Sequence, residues 1–114
     1  MTNMVTGQKV DWIQEESKRA EEVFELDDKN YLIYYSLDGC WACEKMSKIL
    51  DMYSAYINSN FYSINVNCSK EDECEEISVF PKLEIIAKDG GNKIVLEGGY
   101  NDLYLFSSLT QIQN

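Results

Sequence analysis

The middle of the chain pairs a short apolar run with a longer stretch of helical spacing. Residues 31–35 are apolar and aromatic, which is typical of a buried strand. After them, apolar residues recur at steps of three and four from Cys43 to Ile57, and this period predicts one amphipathic helix. Asp38 and Gly39 lie between the two segments and supply a turn with a candidate helix cap.

The flanking segments predict further helices. Apolar residues spaced as on one helical face predict an N-terminal amphipathic helix that carries Val10, Ile13, Ala20 and Phe24. Residues 69–77 are acidic and predict a short helix with Ser69 as its cap. A last helix is predicted to begin after Asn101 and to carry four apolar residues: Leu105, Phe106, Leu109 and Ile112.

Further strands are indicated by alternation and by turn signals. In residues 61–67 apolar and polar side chains alternate, which is the period of a strand. Residues 83–87 and 93–96 flank a turn signal at residues 89–92, so they predict a hairpin. Pro81 precedes the first of these strands, and Gly98 with Gly99 ends the second.

This order of elements predicts an α/β fold. Strands that are joined through helices form a partly parallel sheet that is covered on both faces. We therefore expect a central mixed sheet of about four to five strands flanked by helices on both faces. No linker or internal repeat divides the chain, so residues 1–114 are expected to form a single domain, with residues 1–9 as a flexible N-terminal segment.

Composition narrows the functions that such a domain can perform. The net charge is −10, which repels phosphate backbones and anionic membranes and so disfavours nucleic-acid and membrane partners. The chain has no histidine to act as a general base or zinc ligand. Residues 1–10 lack the apolar stretch of a secretion signal, and we therefore expect a cytoplasmic protein.

Cysteine is the residue that remains for chemistry, and Cys40 and Cys43 form a C-x-x-C sequence at the start of the predicted helix. Helix N-termini stabilise a thiolate through free N–H groups and the helix dipole, so Cys40 is the candidate nucleophile. Cys43 lies one turn further on and would resolve a mixed disulfide by attacking Cys40. Trp41 and Ala42, between the two cysteines, would control access to them.

The second pair, Cys68 and Cys74, allows three interpretations. The two cysteines are partly buried free thiols, they form a second disulfide, or they complete a four-cysteine zinc site with Cys40 and Cys43. The five residues between Cys68 and Cys74 are more than zinc sites usually have.

Taken together, these features resemble the thioredoxin superfamily over residues 10–112. Three features carry the resemblance in this order: the strand, C-x-x-C and helix of residues 32–57; Phe80 and Pro81 at the start of a strand; and Gly98 and Gly99 before the last helix. Cys68 and Cys74 are similar to extra cysteines that some animal thioredoxins carry in the corresponding helix and that pair under oxidation.

The resemblance implies a thioredoxin fold and a thiol–disulfide oxidoreductase that reduces protein disulfides, with Cys40 as nucleophile and Cys43 as resolving cysteine. It implies a cis Phe80–Pro81 bond beside the C-x-x-C and a backbone at Phe80 that pairs with an extended substrate segment. No bound cofactor is expected, because electrons would come from a separate thioredoxin-reductase-type donor or from glutathione. We expect a monomer whose substrate-binding residues are Trp41, Ala42, Phe80, Pro81, Gly98 and Gly99.

Other residues point away from a typical thioredoxin. Gly98, Gly99 and Asp102 resemble the glutathione-binding turn of glutaredoxins, although Leu37 stands where that branch has a basic residue. The alternative is therefore a glutaredoxin-like, glutathione-dependent oxidoreductase, or a non-catalytic thioredoxin-fold binding module with a four-cysteine zinc site.

The residues that handle the proton in thioredoxins are also replaced. Tyr34 occupies the place of the buried acid that assists the second cysteine, and Ser63 occupies that of its lysine partner.

Overall fold

Five strands form the central mixed sheet of the protein, and the computed structural model describes residues 8–26, 28–70, 74–99 and 102–112. The strands are β1 (Ile13–Gln14), β2 (Asn30–Ser36), β3 (Phe61–Asn67), β4 (Lys82–Ile86) and β5 (Lys93–Glu97). Their order across the sheet is β1-β3-β2-β4-β5, with β1 and β2 parallel to β3 and with β4 antiparallel to both β2 and β5. The predicted α/β fold with a mixed sheet is confirmed.

The register of the strands brings several chain segments to one edge of the sheet. Ser36, the last residue of β2, lies opposite Asn67, the last residue of β3. Lys82, the first residue of β4, lies opposite Tyr35 on one side and Glu97 on the other. The segments that follow β2, β3 and β5, and the one that precedes β4, therefore all meet at this edge.

Helices cover both faces of the sheet, as predicted. They are α1 (Lys18–Val23), α2 (Trp41–Met52), α3 (Ser54–Asn60) and α4 (Asp102–Gln111). Leu32 and Ile33 are neighbours on β2 and so point to opposite faces. Leu32 belongs to a buried cluster with residues of α2, α3 and α4, whereas Ile33 belongs to a second cluster with residues of α1. Within the described residues, no helix is both long and apolar enough to cross a membrane.

The helix predicted from Cys43 to Ile57 is divided in two. Tyr53 ends α2 with φ −109° and ψ 23°, outside the helical region, and α3 begins at the next residue. The ring of Tyr53 stacks on Phe106 of α4, with 5.0 Å between the ring centroids. The apolar spacing continues through this break because both helices pack on the same face of the sheet, so the sequence pattern did not reveal it.

The predicted N-terminal helix is wrong over its first half. Ile13 lies in β1 and pairs with Ile64 of β3. Helix α1 begins only after Ser17, whose hydroxyl accepts a hydrogen bond from the Ala20 N–H at 3.2 Å. Val10 and Ile13 are both buried but lie in different clusters. Their spacing therefore reflects burial on two faces of the sheet and not one helical stripe.

The helix predicted over residues 69–77 is also wrong where the structure describes it. Residues 68–70 form a turn, in which the Lys70 N–H donates to the Asn67 carbonyl at 3.0 Å. Cys74 has 3₁₀ conformation and residues 75–76 form a turn, in which the Ile77 N–H donates to the Cys74 carbonyl at 3.0 Å. A disulfide joins Cys68 to Cys74.

The hairpin at the other end of the sheet is confirmed. Its turn is closed by the Ala87 N–H on the Asn92 carbonyl at 2.9 Å, and Gly90 has a φ of +76° that favours glycine. The predictions for the cap Asn101 and for most of the N-terminal segment 1–9 lie outside the described residues.

Candidate active site

The C-x-x-C sequence lies at the edge of the sheet where the strand ends meet. Cys40 and Cys43 are joined by a disulfide, with 5.1 Å between their Cα atoms. Cys40 is half-buried, whereas only 4% of Cys43 is exposed. An approaching disulfide can therefore reach the Cys40 sulfur far more easily than that of Cys43.

Cys40 is itself the N-cap of α2. Its Sγ accepts a hydrogen bond from the Cys43 N–H at 3.0 Å, and its carbonyl accepts one from the Glu44 N–H at 3.1 Å. An anionic sulfur in this position would gain from the same N–H group and from the helix dipole. The prediction that Asp38 or Gly39 supplies the cap is therefore wrong, and Gly39 instead forms the turn before it, with a φ of +74°.

Asp38 bonds to the neighbouring loop and not to the helix. Its N–H donates to the Ser69 Oγ at 2.8 Å, and its Oδ1 accepts from the Asn67 Nδ2 at 3.0 Å. The Asn67 Oδ1 in turn accepts from the Ser69 N–H at 3.0 Å. Sequence reasoning missed Asn67 as a partner of the C-x-x-C turn, because the contact depends on the register of β2 against β3.

Trp41 extends from the site into solvent. Its side chain is 73% exposed, and the Lys45 Nζ lies 5.0 Å from the centroid of its ring, a cation–π contact. Ala42 is half-buried between the two cysteines. The exposed indole is an apolar surface beside the half-buried Cys40.

Pro81 lies at the same edge, at the start of β4. The Phe80–Pro81 peptide bond is cis, as the resemblance implies, and Pro81 is buried while Phe80 is half-buried. The Pro81 carbonyl accepts a hydrogen bond from the Gly98 N–H at 2.8 Å. Gly98 has a φ of +83°, and Gly99 is exposed. The six candidate substrate-binding residues thus lie in segments that meet at this edge of the sheet.

Tyr34 lies behind the C-x-x-C, in the buried cluster of α2. Its hydroxyl donates to the Cys43 carbonyl at 2.5 Å, and its ring stacks on Trp12 with 5.3 Å between centroids. Burial raises the pKa of the Tyr34 phenol to about 12, so this group stays protonated near neutral pH. Ser63, in the place of the thioredoxin lysine, is buried as well.

A cleft of about 240 Å³ opens beside Cys43, and it is lined by Trp12, Tyr34, Cys43, Glu44 and Ser47, among others. This volume has room for several water molecules, and its hydroxyl and carboxyl groups offer them hydrogen-bond partners. The cleft therefore gives the buried residue Cys43 a polar neighbourhood that is open to solvent.

Replacing Tyr34 by phenylalanine is expected to destabilise the protein by about 1 kcal/mol at pH 7, because the buried hydrogen bond to the Cys43 carbonyl is lost. The raised pKa adds a pH dependence. Unfolding lowers the pKa of this phenol towards its ordinary value of 10. The phenol therefore contributes fully to the free energy of unfolding below pH 10, and this contribution is lost as the pH rises to about 12. Urea unfolding should show that the free energy of unfolding falls more between pH 7 and pH 11 in the natural protein than in the variant. Parallel losses in the two proteins would contradict this assignment.

The second pair of cysteines is joined as well. Cys74 is 8% exposed and belongs to the cluster of α1, and the half-buried Cys68 donates its N–H to the Ser36 carbonyl at 2.7 Å. All four sulfurs are thus in disulfides, and in this state none is a thiolate that could bind zinc. Across the described ranges, no group of three or more His, Cys, Asp or Glu side chains is placed to hold a metal ion.

Comparison with known proteins identifies the fold of this chain. No family model matches the sequence, and no curated protein matches it. Among solved structures, chloroplastic thioredoxin z superposes with a TM-score of 0.76 at 18% identity over 91% of this chain and 94% of that one. The chain has the thioredoxin fold.

Two further thioredoxins support the same conclusion. Thioredoxin NaTrxh from Nicotiana alata superposes with a TM-score of 0.70 at 13% identity, over 96% of this chain and 98% of that one. A Schistosoma mansoni thioredoxin gives 0.67 at 14% identity, over 90% and 96%. At such identities the likeness shows the thioredoxin fold alone, so function has to be argued from the site. The side chain of Asp102, expected to help hold glutathione, lies outside what the structure describes.

Proposed function

We propose that the protein is a thiol–disulfide oxidoreductase that reduces disulfides in other proteins. The observation that carries the proposal is the pairing of an accessible Cys40, at the N-terminus of α2, with a buried Cys43 one turn away. Two such thiols donate two electrons when they form a disulfide, and the reaction is reversible. The thioredoxin fold adds to this argument but does not replace it.

The reaction begins with the reduced dithiol. The Cys40 thiolate, stabilised by the Cys43 N–H and the helix dipole, attacks one sulfur of the substrate disulfide. A bond forms between Cys40 and that sulfur, and the other substrate sulfur leaves as a thiolate and takes a proton from solvent. The product is a mixed disulfide on Cys40.

Resolution requires the Cys43 thiol to lose its proton. The protonated Tyr34 phenol cannot accept it near neutral pH, and water in the cleft beside Cys43 is the acceptor that we propose. The Cys43 thiolate then attacks Cys40, the mixed disulfide breaks, and the second substrate thiol is released. Two electrons have passed to the substrate, and the protein is left with its Cys40–Cys43 disulfide.

The remaining parts of the proposal concern binding and the return of electrons. Trp41, Ala42, Phe80 and Pro81 would form the docking surface for the substrate, with Gly98 and Gly99 at its rim. No bound cofactor is needed, because a separate reductase or glutathione can restore the dithiol by the same exchange chemistry. The expected monomer and cytoplasmic location stay predictions.

Reduction of insulin by dithiothreitol tests this function. The natural protein should accelerate the reaction, whereas Cys40→Ser should fall to the rate of dithiothreitol alone, since a hydroxyl cannot form the mixed disulfide. The double variant Cys68→Ser/Cys74→Ser is the matched control, because it loses the other disulfide and keeps both residues of the proposed reaction. A natural protein that gives no acceleration would refute the proposal.

A further inference from the structure

Two loops at the active-site edge are joined by two hydrogen bonds, and a third orders the side chain of one loop. We refer to Asp38, Asn67 and Ser69 as the Asp38 clamp. Asp38 precedes Cys40 by two residues, and Asn67 and Ser69 lie on either side of Cys68. The clamp thus links the turn that leads into the nucleophile to the turn that follows β3.

The clamp fixes both the backbone and the carboxylate of Asp38. The Ser69 Oγ accepts from the backbone N–H at 2.8 Å, and the Asn67 amide donates to Oδ1 at 3.0 Å. The Ser69 N–H, which donates to the Asn67 Oδ1 at 3.0 Å, orients that amide so that its NH₂ group faces Asp38. The carboxylate is therefore directed towards the end of β3.

The turn that holds the clamp is itself anchored. The Cys68 N–H donates to the Ser36 carbonyl at 2.7 Å, and this backbone hydrogen bond does not require Cys68 to be in a disulfide. Asn67 and Ser69 are therefore attached to a braced segment and not to a free loop. Such bracing lowers the entropy lost when their side chains hold Asp38.

The direction of the carboxylate has an electrostatic consequence for Cys40. A negative charge close to a thiol disfavours the thiolate and raises the pKa of the thiol. Only Gly39 separates Asp38 from Cys40, so a carboxylate released from Asn67 could turn towards the sulfur. Other charged side chains of the segments that meet at this edge would remain unchanged by that release: Glu44, Lys45 and Lys48 on α2, Lys70 after Ser69, Lys82 on β4 and Glu97 on β5.

We propose that Asn67 and Ser69 are positioning residues that hold the Asp38 carboxylate away from Cys40 and so favour its thiolate. The proposal rests on the proposed function in one respect, since it concerns the thiol assigned there as the attacking group. Neither residue touches the substrate in this account. Both act through Asp38.

The test measures how fast iodoacetamide alkylates Cys40 in the reduced protein as a function of pH, with peptide mass spectrometry to distinguish Cys40 from the other cysteines. Asn67→Ala should raise the midpoint of this profile by about half a pH unit. Asp38→Ala should lower the midpoint. In the Asp38→Ala background, Asn67→Ala should cause no further change, because its effect passes through the carboxylate.

Two further comparisons separate positioning from a general loss of structure. Ser69→Ala should also raise the midpoint, and Ser69→Thr, which keeps the hydroxyl, should restore it. Asn92→Ala is the same substitution in the hairpin turn at the opposite end of the sheet, and it should leave the midpoint unchanged. Far-ultraviolet circular dichroism confirms that each variant is folded.

An unchanged midpoint in both Asn67→Ala and Ser69→Ala would overturn the proposal. An Asn67→Ala shift of equal size with and without Asp38 would overturn it too. The insulin assay reports separately on the proposed function. A shifted midpoint in a protein without reductase activity contradicts only that function, whereas an active protein with an unshifted midpoint overturns only the positioning role.

Discussion

Replacing Cys43 by serine is expected to stop turnover and to leave Cys40 in a stable mixed disulfide with its substrate. Cys40 keeps its position at the N-terminus of α2, so the first attack still occurs. The serine hydroxyl cannot attack the mixed disulfide to form a new disulfide, so resolution has no nucleophile. Multiple turnover should fall by at least about a thousand-fold, as when a nucleophile is removed from other enzymes.

Intact mass spectrometry under non-reducing conditions measures the trapped species. The variant should gain the mass of one substrate chain, and dithiothreitol should release it. Peptide mapping should place the link on Cys40. The double variant Cys40→Ser/Cys43→Ser is the control and should trap nothing. An adduct on Cys68 or Cys74 would show that the second pair, and not the C-x-x-C, carries the reaction.

The placement of the C-x-x-C could be predicted because its signals are local. Residues 61–67 alternate in polarity and form β3 with the predicted bounds, and the turn at residues 89–92 joins the predicted hairpin strands. The relation of Cys40 to the helix N-terminus follows from the adjacent strand and helix patterns alone. Each of these features is determined by residues close in sequence.

The interactions that tune the site could not be predicted in this way. The contact between Asp38 and Asn67 spans 29 residues, and it exists because the parallel register places Ser36 opposite Asn67. The hydrogen bond from Tyr34 to the Cys43 carbonyl depends on how α2 packs on β2. Neither the register nor the packing is encoded in a local period, so the sequence indicated Tyr34 only as a departure from a family pattern.

The two wrong helices have different physical causes. Val10 and Ile13 are buried on opposite faces of the sheet, yet their spacing also fits one helical face. Around Cys68 and Cys74 the acidic composition indicated a helix, but the described residues 68–70 and 75–76 form turns, and a disulfide joins the two cysteines. Apolar spacing does not reveal burial on a second face, and acidic composition does not reveal a covalent link.

Replacing Met46 by alanine is expected to destabilise the protein by about 2–4 kcal/mol, a large part of the roughly 5–15 kcal/mol that holds a small domain folded. Met46 is 1% exposed and belongs to the buried cluster with Leu32 and Leu83, so the shorter side chain leaves a cavity. Methionine and alanine both favour helices, so the loss reports on packing. Urea unfolding of the oxidised protein should show the change as a lower midpoint with an unchanged slope.

Met52→Ala makes the same substitution on the same helix at a side chain that is 62% exposed, and it should change stability by no more than about 0.5 kcal/mol. Equal losses in the two variants would contradict the packing of α2 described here. Met46 lies three residues after Cys43 and faces the sheet as Cys43 does, yet it has no part in the exchange of electrons. Per folded molecule, Met46→Ala should therefore keep the activity that Cys43→Ser loses, because the buried face of α2 supports the site while its N-terminus performs the chemistry.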